Sequence, residues 1–248
     1  MNFYHRLKSK LKRLLKKFIS MCNLSISKSS RHGFFEPYFH FKIDLILDIG
    51  ANTGQFVDEI RNSGFKGRII SFEPLQNAHM LLTKKCLKDS FWEVYPRCAI
   101  GDDNRIVDIF ESSNSVSSSI RQMGDVHLLA APESKVINSG KVELIRMDKI
   151  FPSLIDDELN FAIKIDTQGY EKEVLLGLGG YLQDILLIQL EMSIVELYQG
   201  QALHEEIAEF LKNNDFFLWS LKPGFMNKKS GRLLQYDAIY VNCLALNR

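Results

Sequence analysis

Cysteine is scarce in this chain, and what there is lies scattered. Cys22, Cys86, Cys98 and Cys243 form no C-x-x-C pair, and no histidine stands at metal-ligand spacing from them. That argues against a zinc site or a disulfide framework and fits a reducing compartment. Long apolar runs are missing too, none approaching the ~20 residues of a membrane span. Lysines recur through the N-terminus, where a signal peptide would need an apolar core. Internal repeats are absent, and no acid precedes Glu36. A cytoplasmic protein without a resident metal is the expectation.

At 248 residues, with 46% hydrophobic and 25% charged residues, the chain has room for one domain with a sizeable core. Its net charge of +1 hides an asymmetry. Nine of the 31 Lys and Arg precede Glu36, leaving 22 basic against 30 acidic residues in the remainder. Within residues 3–18, Phe3, Leu7, Leu11, Leu14, Leu15 and Phe18 fall on one helical face, and Arg6, Lys8, Lys10, Lys12, Arg13, Lys16 and Lys17 on the other. Such a helix suits the inner face of an anionic membrane, at about 1 kcal/mol per basic residue. Packing on the body or on a partner protein is the alternative. Nucleic acid is not expected, because no aromatic platform interleaves the basic residues and the body is acidic. The serine-rich stretch 20–30 reads as a linker, dividing the chain into 1–32 and a domain over 33–248.

Residues 45–54 read L-I-L-D-I-G-A-N-T-G, and 69–73 read I-I-S-F-E. An apolar run that stops at an acid and a glycine turn is a buried parallel strand feeding a helix. A carboxylate closing the next strand can accept both hydroxyls of a ribose, so a nucleoside-containing cofactor is expected. A nicotinamide dinucleotide needs G-x-G-x-x-G beneath its pyrophosphate, and Asn52 stands at the second glycine. The pattern D-x-G-x-x-x-G, with Asp48 closing the strand, suits a cofactor bearing a sulfonium and an ammonium: S-adenosyl-L-methionine (SAM). Gly50 and Gly54 are expected to admit it, Asp48 and Asn52 to face its methionyl part, Glu73 to hold the ribose and Asp102 to lie near the adenine. An NAD-dependent oxidoreductase and a non-catalytic SAM-binding fold that docks a partner or membrane are the competing readings.

Helical patterns over 55–61, 75–88, 170–178 and 204–213 alternate with strand patterns over 92–95, 105–110, 142–147, 161–166 and 185–191. The alternation predicts an α/β protein with a mostly parallel, doubly wound sheet, closed by an edge pair over 216–221 and 235–241. Ligands in such sheets sit at the carboxyl ends of the strands. Here the strands are predicted to end in Asp48, Glu73, Asp102, Asp166 and Glu191, a rim of acids that would repel one another without cationic or hydroxylated ligands.

The segments 47–56, 71–74 and 163–171 (I-K-I-D-T-Q-G-Y-E), with Glu173, Val174, Leu175 and Gly177, resemble the FkbM family of SAM-dependent methyltransferases. Met147-Asp148, Leu190-Glu191, Tyr198 and 236–241 extend the resemblance over residues 42–242. It implies a Rossmann-like, seven-stranded class I methyltransferase fold and methylation of a hydroxyl, often on a sugar of a glycolipid, surface polysaccharide or natural product. Met147 and Thr167 stand where the family more often has leucine and valine, and neither change removes a polar group.

Methyl transfer to an alcohol needs a positioned base. Asp166 is the first candidate for base or substrate clamp, with a cap-like role ordering the 167–169 turn as its alternative. Glu191 is the second, with turn or cofactor support as its alternative. Lys164 shares a strand face with Asp166 and either orients that carboxylate or balances its charge. His204 reads as a surface residue, His127 as structural, and the serines at 117–119 as a flexible loop or the edge of the acceptor pocket.

Overall fold

The computed structural model describes residues 32–154 and 160–243, so the predicted basic helix over 3–18 and the linker over 20–30 lie outside the described residues. The described chain opens with α1 (Glu36–His40), then runs β1 (Leu45–Ile49), α2 (Gln55–Asn62), β2 (Arg68–Phe72), α3 (Gln76–Cys86) and β3 (Trp92–Val94). A middle section follows with β4 (Ala99–Gly101), β5 (Arg105–Ser112), α4 (Asp125–Ala130), β6 (Val136–Arg146) and α5 (Met147–Ile150). The last third holds β7 (Phe161–Ile165), α6 (Glu171–Gly177), β8 (Leu187–Ser193), α7 (His204–Asn213), β9 (Phe216–Pro223) and β10 (Gln235–Asn242).

Seven strands form one sheet in the order β3-β2-β1-β7-β8-β10-β9. It is parallel except for β10, which runs antiparallel to both its neighbours. The predicted doubly wound architecture is therefore the one observed, with the strand order reversing between β1 and β7. Two expectations need correcting. The segment 235–241 is not an edge strand: β10 is inserted between β8 and β9, and among the described residues β9 is the last strand on that side. The segments around 105–110 and 142–147 do not join the main sheet but pair with β4 in a separate three-stranded sheet, order β4-β6-β5.

Strand register explains how the site is made. Successive side chains alternate between the two faces of a sheet. On one face Leu47, Ile49, Ile163, Ile165, Ile188 and Leu190 continue an apolar core to the strand ends, covered by Val174 and Leu175 of α6 and Ile207 and Leu211 of α7. The other face begins apolar and turns polar. Ile46, Ala162, Leu187 and Val241 lie in one row across the sheet. Two residues further along, the row reads Ser71, Asp48, Lys164 and Gln189. Two residues beyond that come Gly50, Asp166 and Glu191, with Asp237 of β10 directly opposite Glu191. Phe56, Val57 and Ile60 of α2 and Tyr38 of α1 cover the apolar part of this face. Burying such a side chain stabilises the fold by about 1.5–3 kcal/mol.

Candidate active site

The loop from β1 to α2 is wound tightly: φ is +75° at Gly50, +49° at Asn52 and +85° at Gly54. A Cβ at Gly50 would stand 1.9 Å from the Asp166 carbonyl oxygen, and one at Gly54 would meet the Trp92 ring at 2.7 Å. Both glycines are therefore demanded by the chain's own packing. Gly50 lines the cleft described below and Gly54 does not. Glu73, just past β2, is 3% exposed. Its Oε2 accepts the Asn52 N–H at 2.7 Å and its Oε1 the Leu75 N–H at 2.8 Å. Burial outweighs these donors and the nearby Lys164 ammonium, pushing the carboxyl up to about 7.

Asp48 is not the last residue of its strand and does not reach the cleft. Fully buried, it accepts the Ser71 hydroxyl at 2.9 Å and faces Lys164 Nζ at 3.2 Å. Lys164 also donates to the Gly50 carbonyl at 2.9 Å and lies 3.7 Å from Asp166 Oδ2. Burial works against its ammonium, but Asp48 and Asp166 more than compensate, and it is pushed up to about 12. Lys164 therefore faces Asp166, the partner expected for it, but lies nearer to Asp48, a partner the sequence reading did not name.

Asp166 opens the β7–α6 turn with its side chain 37% exposed. The turn is not ordered by Asp166 but by Glu171, which accepts the N–H groups of Thr167 and Gly169 at 3.0 Å and is pushed up to about 7 by burial. The backbone N–H groups of the turn are thus capped by Glu171, while Asp166 touches the turn at the Gln168 side chain. Gln168, in the left-handed region at φ +55°, donates from Nε2 to Asp166 Oδ1 and to Glu191 Oε2, each at 2.7 Å. Its Oε1 accepts the hydroxyl of the fully buried Tyr198 at 2.8 Å. Gln235 supplies Glu191 with a second donor at 2.9 Å. Burial first, then Asp166, holds the Glu191 carboxyl well above the usual range.

These groups border a cleft of about 1120 Å³, counting its open mouth. Of the residues expected at the site, Gly50, Asn52, Glu73, Lys164 and Asp166 line it, together with Ser115, Ser118 and Ser119 of the serine loop. Asp48, Gly54, Glu191 and Asp102 do not. Asp102 follows a strand of the smaller sheet, where it accepts the Tyr170 hydroxyl at 3.3 Å while its carbonyl accepts Arg146. The wall beside Glu73 is instead Leu75, Cys98, Ala99 and Ile100. Sequence reading missed Gln168, Gln189, Lys222 and Asp237, all of which line the cleft. The left-handed turn that brings Gln168 there and the antiparallel insertion of β10 that brings Asp237 and Lys222 there leave no local signal, whereas Gln189 is a polar residue within the predicted strand 185–191.

His127 is buried against the rings of Tyr198 and Phe225, as a structural role requires. His204 opens α7 beside Glu205 and the Tyr236 hydroxyl, outside the cleft. Among the described residues, no three His, Cys, Asp or Glu side chains gather as a metal-holding group. Nor is any helix among them long and apolar enough to cross a membrane.

The donor set fits SAM. It offers a carboxylate beyond β2 with lone pairs to spare, a flat apolar wall beside it, and a glycine turn at the switch point. The chain belongs to the family described as the methyltransferase FkbM domain, whose model matches residues 48–218. It is a SAM-dependent methyltransferase of the class I fold. No curated protein matches the sequence. Among solved structures it is similar to magnesium protoporphyrin IX methyltransferase from Synechocystis PCC 6803 with bound SAM, at 8% identity and TM-score 0.45, covering 98% of this chain and 85% of that one. It is also similar to the 1,6-didemethyltoxoflavin-N1-methyltransferase of Burkholderia thailandensis with bound S-adenosylhomocysteine, at 9% identity and TM-score 0.43, covering 96% and 89%. A third is Aeropyrum pernix fibrillarin with natively bound SAM, at 11% identity and TM-score 0.44, covering 80% and 66%.

Proposed function

We propose that the protein transfers the methyl group of SAM to a hydroxyl, on a sugar of a glycolipid, surface polysaccharide or natural product. When bound, SAM supplies an electrophilic methyl on a sulfonium. Glu73 would accept hydrogen bonds from its ribose, Asn52 would hold its methionyl part, and Leu75, Ala99 and Ile100 would supply the apolar contacts for its adenine. Asp48 acts from below, by holding Lys164.

The observation that carries the reading is the setting of Asp166. One carboxylate oxygen is fixed by Gln168 while Oδ2, 3.7 Å from Lys164, stays open to the cleft as an acceptor for a hydroxyl proton. Lys164 stabilises the charged carboxylate before transfer, and Glu191 anchors the far side of Gln168. A base in this position contributes about 10²–10⁴ in rate. The test is Asp166→Asn, assayed by mass spectrometry for methylated glycosides. A drop of that size with S-adenosylhomocysteine affinity retained supports the base, and an unchanged kcat removes it. The basic segment 3–18 is assigned to an anionic lipid surface on its charge and apolar face. Deleting residues 1–20 should abolish binding to phosphatidylserine vesicles without altering cofactor affinity, and retained vesicle binding refutes the assignment.

A further inference from the structure

Part of the cleft, its arm, is walled by residues with no role assigned toward the cofactor. Its walls are Gln55, Phe56 and Glu59 of α2, Gln189 of β8, Lys222 of β9 and Asp237 of β10. The topology puts it there. Because β10 runs antiparallel, it begins where β8 ends, so Asp237 lies opposite Glu191 at the same rim as Asp166. Lys222, near the end of β9, pairs with Asp237 at 3.1 Å, lies 4.0 Å from Glu59, and stands over the Phe34 ring at 5.1 Å. Burial draws the Asp237 carboxyl upward against the pull of Lys222. With Glu73 beyond β2, the cofactor belongs to the β1–β2 side of the switch point, which leaves this arm on the β7–β10 side.

We infer that this arm is the acceptor subsite and that it takes a neutral polyhydroxylated group, with Asp237 and Lys222 selecting it by hydrogen bonds to neighbouring hydroxyls. The inference deepens the O-methyltransferase reading and rests on it. Its chemistry follows from the donor set. Asp237 and Glu59 accept, Lys222 donates, and Phe56 offers an apolar face for the C–H side of a ring. Lys164 also lines the cleft, but the buried Asp48 matches its charge; that leaves Asp166, Asp237 and Glu59 against the Lys222 ammonium, so an acceptor bearing phosphate would meet repulsion. Asp237 and Lys222 are specificity residues; the proton is still taken at Asp166.

Binding separates this inference from the function it rests on. Saturation-transfer NMR with a panel of methyl glycosides and their phosphorylated counterparts, on full-length protein loaded with S-adenosylhomocysteine, reads the arm without requiring turnover. The expected result is binding of at least one neutral glycoside, no preference for the phosphorylated forms, and at least tenfold weaker binding in Asp237→Asn and Lys222→Met. Lys222 is 43% exposed, so its variant keeps the fold; S-adenosylhomocysteine affinity checks both. No neutral glycoside bound, a preference for phosphorylated ones, or unchanged binding in both variants would overturn the subsite. Glycosides that bind but are never methylated would leave the subsite standing and remove the O-methyltransferase reading instead.

Discussion

Cofactor affinity should depend on pH through Glu73. Its carboxyl, 3% exposed and pushed up to about 7, is half protonated near neutrality in the free protein. The bound ribose donates hydroxyl hydrogens, and the Asn52 and Leu75 N–H groups already point at both oxygens, so the complex requires the ionised form. Below pH 7 each unit of acid then weakens binding about tenfold, or 1.36 kcal/mol. Between pH 8 and 5.5 the loss is about 30-fold, close to 2 kcal/mol. Near pH 7, binding should release about half a proton. Isothermal titration with S-adenosylhomocysteine in buffers of different ionisation enthalpy reads both quantities. Glu171, also near 7, could mimic the profile, so Glu73→Gln is the control. It should bind about 1.5–3 kcal/mol more weakly, the worth of a charged hydrogen bond, and with no acid loss. A wild-type Kd flat from pH 8 to 5.5, or no proton release at pH 7, would refute the reasoning. In the free protein the same shift acts on folding with the opposite sense. A carboxyl raised from 4.5 to about 7 contributes stability that is full below 4.5 and lost as pH rises through 7.

Other perturbations probe the remaining parts of the site. Lys164→Met leaves Asp48 buried and uncompensated and should lower stability by about 3–5 kcal/mol in urea unfolding; an unchanged midpoint would show that the ion pair is dispensable. Because Lys164 is raised above 10.5 to about 12, its contribution is complete below 10.5 and should vanish as pH climbs through 12, which alkaline unfolding of the wild type against the variant measures. Gln168→Leu removes the donor shared by Asp166 and Glu191. It should lower kcat at least tenfold with S-adenosylhomocysteine affinity intact, and a kcat within twofold of wild type would mean Asp166 needs no such support.

Much of this was legible in the residues. The apolar runs at 45–49, 69–72, 161–165 and 187–190 announced parallel strands because both faces of a central strand are buried, so almost no polar residue interrupts them. The tight turn at Gly50 and Gly54 and the carboxylate of Glu73 were legible because positive φ and a strand-terminal carboxylate are local requirements with local signatures. Asp102 shows the limit. It follows an apolar strand and a glycine as Asp48 precedes one, yet its strand pairs with β6 in another sheet. Nothing in residues 99–102 says which strand they will pair with.

The sequence by itself thus determined the element order, the parallel sheet, the cofactor class and the candidates Glu73, Lys164 and Asp166, since each follows from periodicity, turn chemistry and charge along short stretches of chain. Tertiary structure alone decided that Asp48 serves Lys164 from beneath the cleft rather than lining it. It alone set Glu171 on the N–H groups of the β7–α6 turn, and brought Gln168, Asp237 and Lys222 to the same rim. Those outcomes depend on strand register and on the reversed insertion of β10, and register is set by which side chains fit across the sheet from segments as distant in the chain as Leu45 and Phe161.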